Sequence, residues 1–367
     1  MIKNLILSKS GQFNHYKNKT EELTKEIKKT EKDNEKLKNE NKKLKSEKKI
    51  KNEDTNYKKG ISIIIPSYKG ENHIKPLLDS LSKQTLDKNL YEIIFVINGE
   101  MDSTINLIKK FISKNPDMNI LMTYTTKKGV CNARNIGINL VKREYTGFID
   151  DDDFISNKYL EKLYEYSKPN RVVMSDFVDV NEKTGELMES PLVPKSQKEF
   201  GVIKKAPVQL RRIATITQAK SIPTSAIKST KFNTELKNGV DISYYTRLYP
   251  KYDFEFYLID RMEKACYYRL QRSNSISRQK LSYEFNILDR LAVIKDINKS
   301  YNSHMKNKNH KNSEKYKTYL KNEIKGQIWF MKNYLKEHPK DKEKVLKEIE
   351  KYDFTYFDYD ELESYNE

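Results

Sequence analysis

The sequence predicts an α/β domain: a mostly parallel sheet with flanking helices, preceded by an N-terminal coiled coil and followed by a helical C-terminal region. Three observations carry this. Short β-rich apolar runs alternate with helix-spaced segments between Ile61 and Ile149, as in right-handed β–α–β crossovers. Apolar residues between 13 and 44 fall into a seven-residue repeat. From about 281 onwards, apolar side chains recur at helical spacing. The divisions that follow are a coiled-coil, oligomerisation segment over 1–56, the α/β domain over 57–280 and the helical region over 281–367.

The N-terminal segment is built mainly of Lys, Glu and Asn. Tyr16, Leu23, Thr30, Leu37 and Leu44 form one heptad seam, and Phe13, Thr20, Ile27, Asn34 and Asn41 form the other. Asn at two successive a positions gives up stability for a defined register, which suits a homo-oligomer. A solvated basic linker with an accidental period is the other reading. The repeat is lost in KNEDTNYKKG (51–60), and Gly60 ends that linker.

The domain begins with Ile61–Ile65, a buried-type strand that Pro66 is expected to stop. Ile74, Leu77, Leu78 and Leu81 then share a helix face. A second strand, Glu92–Ile97, runs into Asn98-Gly99, and a helix over 103–114 follows. After a weaker strand near 119–124 and a helix around Ala133–Val141, the strand near Tyr145–Ile149 runs into Asp150–Asp153. Ligands of parallel sheets sit at the carboxyl ends of the strands. Pro66-Ser67-Tyr68, Asn98-Gly99 and Asp150–Asp153 all fall at such ends. Four adjacent carboxylates repel one another unless a cation or donors offset them. Hard divalent ions such as Mn²⁺ or Mg²⁺ take oxygen ligands of this kind. An Asp-rich loop or helix cap is the structural alternative.

Composition narrows the class. The 367 residues carry 70 Lys and Arg against 52 Asp and Glu, a formal charge of +18. Basicity is densest at the ends, with 18 Lys against 10 acids in residues 1–60, but 38 basic against 29 acidic residues in 61–300. The surplus therefore points to assembly, a polyanionic partner or an anionic membrane surface, and not to the fold. Two cysteines, Cys131 and Cys266, make no disulfide framework and fit a cytoplasmic, reducing compartment. No apolar run is long enough to span a bilayer, and the opening MIKNLILSKS is a poor signal peptide. Aromatic and basic residues are not interleaved as in a nucleic-acid module, so nucleic acid is not an expected partner.

Five stretches together resemble the nucleotide-sugar half of a family 2 glycosyltransferase with the Rossmann-like GT-A fold. They are ISIIIPSYKGENHI (61–74), EIIFVINGEMDST (92–104), GVCNARNIGI (129–138), GFIDDDDFIS (147–156) and FNTELKNGVDISYYTRL (232–248). The resemblance implies that Pro66 and Tyr68 lie against the nucleoside and that Arg134 reaches the nucleotide. It matches Asp150 and Asp152 to the D-x-D pair, with Asp150 and Asp151 on the donor side and Asp152, with Asp150, at the metal. Asp241 matches the catalytic base, although Val240 stands where the family usually has a second acid. Asn98 replaces an Asp that often reads uracil; its amide both donates and accepts, which keeps a UDP-sugar as the expected donor. Arg272 and Ser275, in RLQRSNSISR, match a segment that closes on the donor diphosphate, and a basic surface loop is the alternative.

The physical case runs alongside. Asp241 follows Asn238-Gly239 and opens helix-spaced sequence, so it is expected in a first helical turn, where the dipole favours a carboxylate. In the C-terminal region Phe285, Leu288, Leu291 and Ile294, then Ile324, Ile328, Met331 and Leu335, are expected to pack, with Trp329 in the core. The expectation is an inverting, metal-dependent transferase of a nucleotide sugar onto an anionic envelope polymer such as teichoic acid or capsule, at most peripheral to the membrane. A transferase of sugar or polyol phosphates, or a basic coiled-coil scaffold or nucleic-acid binder, would share parts of this pattern.

Overall fold

The computed structural model describes residues 57–271, 281–306 and 313–364. The expected coiled coil over 1–56 lies outside the described residues, as do Arg272 and Ser275. Among the described residues no helix is long and apolar enough to cross a membrane.

The first half of the domain is a run of β–α units. Strand β1 (Lys58–Ser67) leads to helix α1 (Lys75–Leu81), β2 (Tyr91–Asn98), α2 (Thr104–Lys114), β3 (Ile120–Thr125), α3 (Val130–Leu140) and β4 (Arg143–Phe148). β1 is buried from Gly60 to its end, because parallel strands covered on both faces need continuous apolar sequence. Pro66 does not stop it: Pro66 lies in register with Val96, and the strand ends at Ser67. The carbonyl of Ile64 accepts the N–H of Ile149 beside β4. Two residues on, Pro66 faces the same side, past the last β1–β4 rung at Ile64–Phe148, where no ladder bond is lost.

The second half uses shorter pieces. In chain order these are β5 (Phe154–Ile155), α4 (Tyr159–Tyr166), β6 (Arg171–Met174), β7 (Asp176–Asn181), β8 (Leu187–Glu189), β9 (Ile203–Lys204) and β10 (Lys220–Pro223). Helices α5 (Thr224–Lys228) and α6 (Val240–Leu248) precede β11 (Glu255–Leu258) and β12 (Cys266–Gln271). The main sheet has the order β3-β2-β1-β4-β10-β6-β11-β9, and a small sheet has the order β5-β12-β7-β8. Pairings among β1–β4 are all parallel, while β10 is antiparallel to both β4 and β6. The order reverses between β1 and β4, which opens a crevice beyond their carboxyl ends.

Helices α7 (Asp289–Lys306), α8 (Ser313–Glu337), α9 (Lys342–Ile349) and α10 (Tyr359–Glu363) close the chain. Ile324, Ile328, Met331 and Leu335 form the buried face of α8 and share one apolar cluster with the strands. Trp329 departs from expectation. It is 47% exposed with its ring edge against Phe330, because it sits off the stripe that α8 buries. The helices also seat α6: Gly239, at φ +63°, places its α-carbon so close to α7 that an added Cβ would lie 2.7 Å from Val293 Cγ2.

Candidate active site

The crevice between β1 and β4 gathers residues from four strand ends. Leaving β1, Ser67 is buried and Tyr68 half-buried. The Tyr68 ring lies against Gly99, where a Cβ would come within 2.9 Å of it, and Gly99 takes φ +85° to permit the contact. Lys128 Nζ stands 4.4 Å from the same ring, so Tyr68 offers an aromatic face flanked by a cation. Asn98 is buried behind this platform. Its Nδ2 donates to the Ser67 carbonyl at 2.9 Å, and its Oδ1 accepts the Gly129 N–H at 2.9 Å. The amide expected to face a base thus also ties the end of β1 to the start of α3.

Among the four acids after β4, Asp150, Asp151 and Asp153 have three different settings. Asp151 turns back to β1, accepting from Ser67 Oγ at 2.5 Å with His73 Nε2 at 3.5 Å. Gly70 leaves the room, since a Cβ there would lie 2.7 Å from Asp151 Oδ2. Asp150 accepts from Arg134 Nη2 at 3.1 Å and from Gln218 Nε2, while its own N–H donates to the Tyr267 hydroxyl. Asp153 is buried, accepting from Tyr267 OH at 2.6 Å and from the Leu270 N–H at 2.9 Å. Asp150, Asp152 and Asp153 each bring a carboxylate oxygen within 4.8 Å of the others. Burial, then the charge of Asp150, pushes the Asp153 carboxyl up to about 8. Asp150 is also raised, first by burial and then by Asp241, against the pull of Arg134. Three crowded carboxylates, two of which, Asp150 and Asp153, resist ionisation, fit a hard divalent cation, whose charge would offset them. Asp153 joins the expected pair as a third candidate ligand.

Asp241 lies in the first turn of α6, as its position after Asn238-Gly239 predicts. Its Oδ1 accepts from Arg134 Nη1 at 3.0 Å and its Oδ2 from the Thr217 N–H at 3.2 Å. Arg134 is therefore a bridge. Its side chain is 4% exposed, and one guanidinium holds Asp150 after β4 and Asp241 on α6. Burial alone would lower its pKa, but Asp241 and Asp150 more than reverse that. The neighbours of Arg134 hold the frame around it. Asn132 Nδ2 donates to the Lys127 carbonyl, and the Asn135 amide pairs both ways with the backbone of Phe232. Phe232 in turn stacks on Tyr244 of α6 at 3.9 Å.

Four contributors carried no motif: Thr217, Gln218, Lys220 and Tyr267. Residues 214–219 wrap around the Lys220 amine, which is fully buried, held well below the ordinary lysine range by that burial, and donates to the carbonyls of Ala214, at 3.0 Å, and Ile216. Its Nζ also lies 4.3 Å from the Tyr245 ring. Ala219 takes φ +58° to close the loop, a conformation costing about 1 kcal/mol for a residue with a Cβ. The result presents the Thr217 N–H to Asp241 and the Gln218 amide to Asp150. The single charged residue in ITQAKSIP (216–223) was the available signal. Arg269, from the run expected to close on phosphate, instead pairs with Asp179 through two 2.8 Å bonds.

Residues 62–223 match the family model described as Glycosyl transferase family 2. A poly(ribitol-phosphate) beta-glucosyltransferase of Bacillus spizizenii is 36% identical over 111 residues, 30% of this chain and 18% of the relative. The poly(ribitol-phosphate) beta-N-acetylglucosaminyltransferase TarP of Staphylococcus aureus is 31% identical over 155 residues, 41% of this chain and 44% of that one. The matches thus span from under a fifth to under half of these relatives' lengths. In structure, the chain is similar to S. aureus TarS 1-349 in complex with UDP, with a TM-score of 0.54 and 21% identity, covering 76% of this chain and 71% of the other. That likeness establishes a mixed α/β, GT-A-like fold.

Proposed function

We propose that this chain, which carries a family 2 glycosyl transferase domain over residues 62–223, is an inverting, metal-dependent glycosyltransferase. It moves a hexose or N-acetylhexosamine from a UDP-sugar to a hydroxyl of a polyol-phosphate polymer of the teichoic acid type. The relatives' substrates and the UDP complex of a structural neighbour support this choice of donor and acceptor. The observation that carries the reading is the single guanidinium of Arg134 between Asp150 and Asp241. It holds a donor-side carboxylate and an acceptor-side base in one frame, as a direct displacement needs.

In this reading Pro66 and Tyr68 lie against the nucleoside, and Lys128 reaches the diphosphate. Asp150, Asp152 and Asp153 would hold Mn²⁺ or Mg²⁺, which when bound would supply charge neutralisation for the departing diphosphate. Asp241, oriented by Arg134 and the Thr217 N–H, takes the proton from the attacking hydroxyl. One base and one displacement invert the anomeric carbon. Beyond the site, the N-terminal heptads would join copies of the chain, and its basic N-terminal segment and the basic stretch 301–352 would keep it near an anionic polymer at the cytoplasmic face of the membrane.

The test supplies the full chain with Mn²⁺, UDP-glucose or UDP-GlcNAc and a ribitol-phosphate polymer. The expected products are UDP and a glycosylated polymer of inverted configuration by NMR. Release of UMP would instead indicate transfer of a sugar phosphate. Asp241→Asn should lower kcat by roughly 10²–10⁴-fold with UDP affinity unchanged.

A further inference from the structure

A second polar cavity lies away from the crevice. It measures about 570 Å³ and is walled by the turn after α5, the last turn of α6 and the outer part of α7. Four cations line it: Lys231, Arg247, Lys251 and Lys299, with the hydroxyls of Ser229 and Ser300 among them. Among the described residues that line it there is no carboxylate. Asp296 lies beneath, 3.6 Å from Arg247 and 3.9 Å from Lys299, and is already engaged by Ser243 Oγ at 2.6 Å and Asn233 Nδ2 at 3.1 Å. Lys251 Nζ donates to the Ser229 carbonyl and Thr230 Oγ1, and Lys231 Nζ to Asn139 Oδ1, all neutral oxygens. The carboxyl end of α6 adds about half a negative charge. The cavity therefore keeps a net positive charge of roughly two to three, counting one carboxylate and that helix end. Lys251 and Lys231 are both held below the ordinary lysine range, first by burial and then by a neighbouring cation, Arg247 and Lys228 respectively.

We propose that this cavity is an auxiliary acceptor site that holds a phosphodiester of a polyol-phosphate polymer. Four convergent cations recognise the phosphate, and a cavity of this size has room for the polyol on either side. Its hydroxyls match those of the polyol. The assignment of the polymer rests on the function proposed above. Arg247 follows Asp241 by six residues on α6, about 9 Å along the helix axis and on a different face. A chain occupying both sites must run around α6. Occupation of the cavity raises the local concentration of acceptor at Asp241 without touching the chemistry.

The experiment compares the full chain with its Lys231→Glu/Lys299→Glu variant, two exposed positions of the cavity, and with Lys198→Glu/Lys340→Glu, an exposed pair elsewhere. Titration calorimetry uses a long ribitol-phosphate oligomer, a single repeat and inorganic phosphate. The cavity variant should bind the long oligomer at least tenfold more weakly. Its KM for that oligomer should rise by the same factor, while kcat, KM for the single repeat and UDP affinity stay unchanged. Inorganic phosphate that displaces the oligomer only at far higher concentration indicates recognition of the polymer; displacement at equal concentration indicates a free-phosphate site and overturns the assignment. Equal oligomer affinity in wild type and cavity variant, or an equal loss in the control pair, also overturns it. Oligomer binding lost in the cavity variant, in a protein that transfers no sugar, would leave the cavity standing and remove the function proposed above.

Discussion

The two flanks of the crevice are built on different physics. On the side proposed to take the donor, β1 to β4 run parallel in long ladders, seven rungs between β1 and β2, and each site segment is the loop that leaves a strand. On the side proposed for the acceptor, β9, β10 and β11 pair over two to four residues, partly antiparallel. There the site segments are held by single buried side chains: Lys220 inside the 214–219 loop, its amine held well below the ordinary lysine range by burial, and Arg134, which reaches over from α3 to pair with Asp150 and Asp241. A ladder spreads its stability over many equivalent bonds, while a buried polar group concentrates it in one side chain. Single substitutions should therefore be tolerated on the donor flank and felt strongly on the other.

Arg134→Met is the largest expected break, because it strikes the residue that joins the flanks. It removes one cation and leaves two mostly buried carboxylates without it, an arrangement costing about 3–5 kcal/mol when one partner of a buried pair is deleted. Denaturant unfolding should show that loss, and transfer should fall with it. Stability unchanged within error would mean that Arg134 is not the bridge that the geometry describes.

Lys220→Met comes next and separates the flanks. Methionine keeps the length and apolar stem but leaves the carbonyls of Ala214 and Ile216 without their donor, at about 1–3 kcal/mol. The loop would loosen where it presents Thr217 to Asp241 and Gln218 to Asp150. The expected signature is a fall in kcat greater than any change in UDP affinity, read by steady-state kinetics and calorimetry. An equal loss of UDP affinity would show that the loop serves the nucleotide and not the base.

This contrast also explains what could be read in advance. Strand–helix alternation, the crevice, and the places of Tyr68, Asn98, Asp150–Asp153 and Asp241 were legible, because parallel strands demand apolar runs and their loops carry contiguous polar residues. Ladder parity at Pro66 was not legible, since it depends on where β4 ends. The bridging role of Arg134 joins residues 107 positions apart. Gln218 and Tyr267 reach Asp150 from 68 and 117 positions away, and no local pattern records such pairings. Trp329 misled for a simpler reason: aromatic bulk implies burial, but one step around α8 from Ile328 is the solvent side.

The smallest effect, per unit of pH, tests the donor flank itself. With chelator present, the Asp153 carboxyl is raised to about 8 by burial and by Asp150, against an ordinary value of 3.8. Between these values the folded chain binds a proton that the unfolded chain has released. The contribution of this group is therefore fully present below about 4 and is lost as pH rises through about 8, with a slope of at most about 1.4 kcal/mol per unit. Thermal unfolding across pH 5–8 should show that decline in the wild type, and Asp153→Asn, which mimics the protonated acid, should make it shallower, leaving the part that the raised Asp150 carboxyl contributes. Mn²⁺ should reverse the trend, because its ligands bind as carboxylates and its stabilisation grows as protons leave. A wild type whose pH profile is the same with chelator and with Mn²⁺ would separate Asp153 from the metal and return the acid cluster to Asp150 and Asp152.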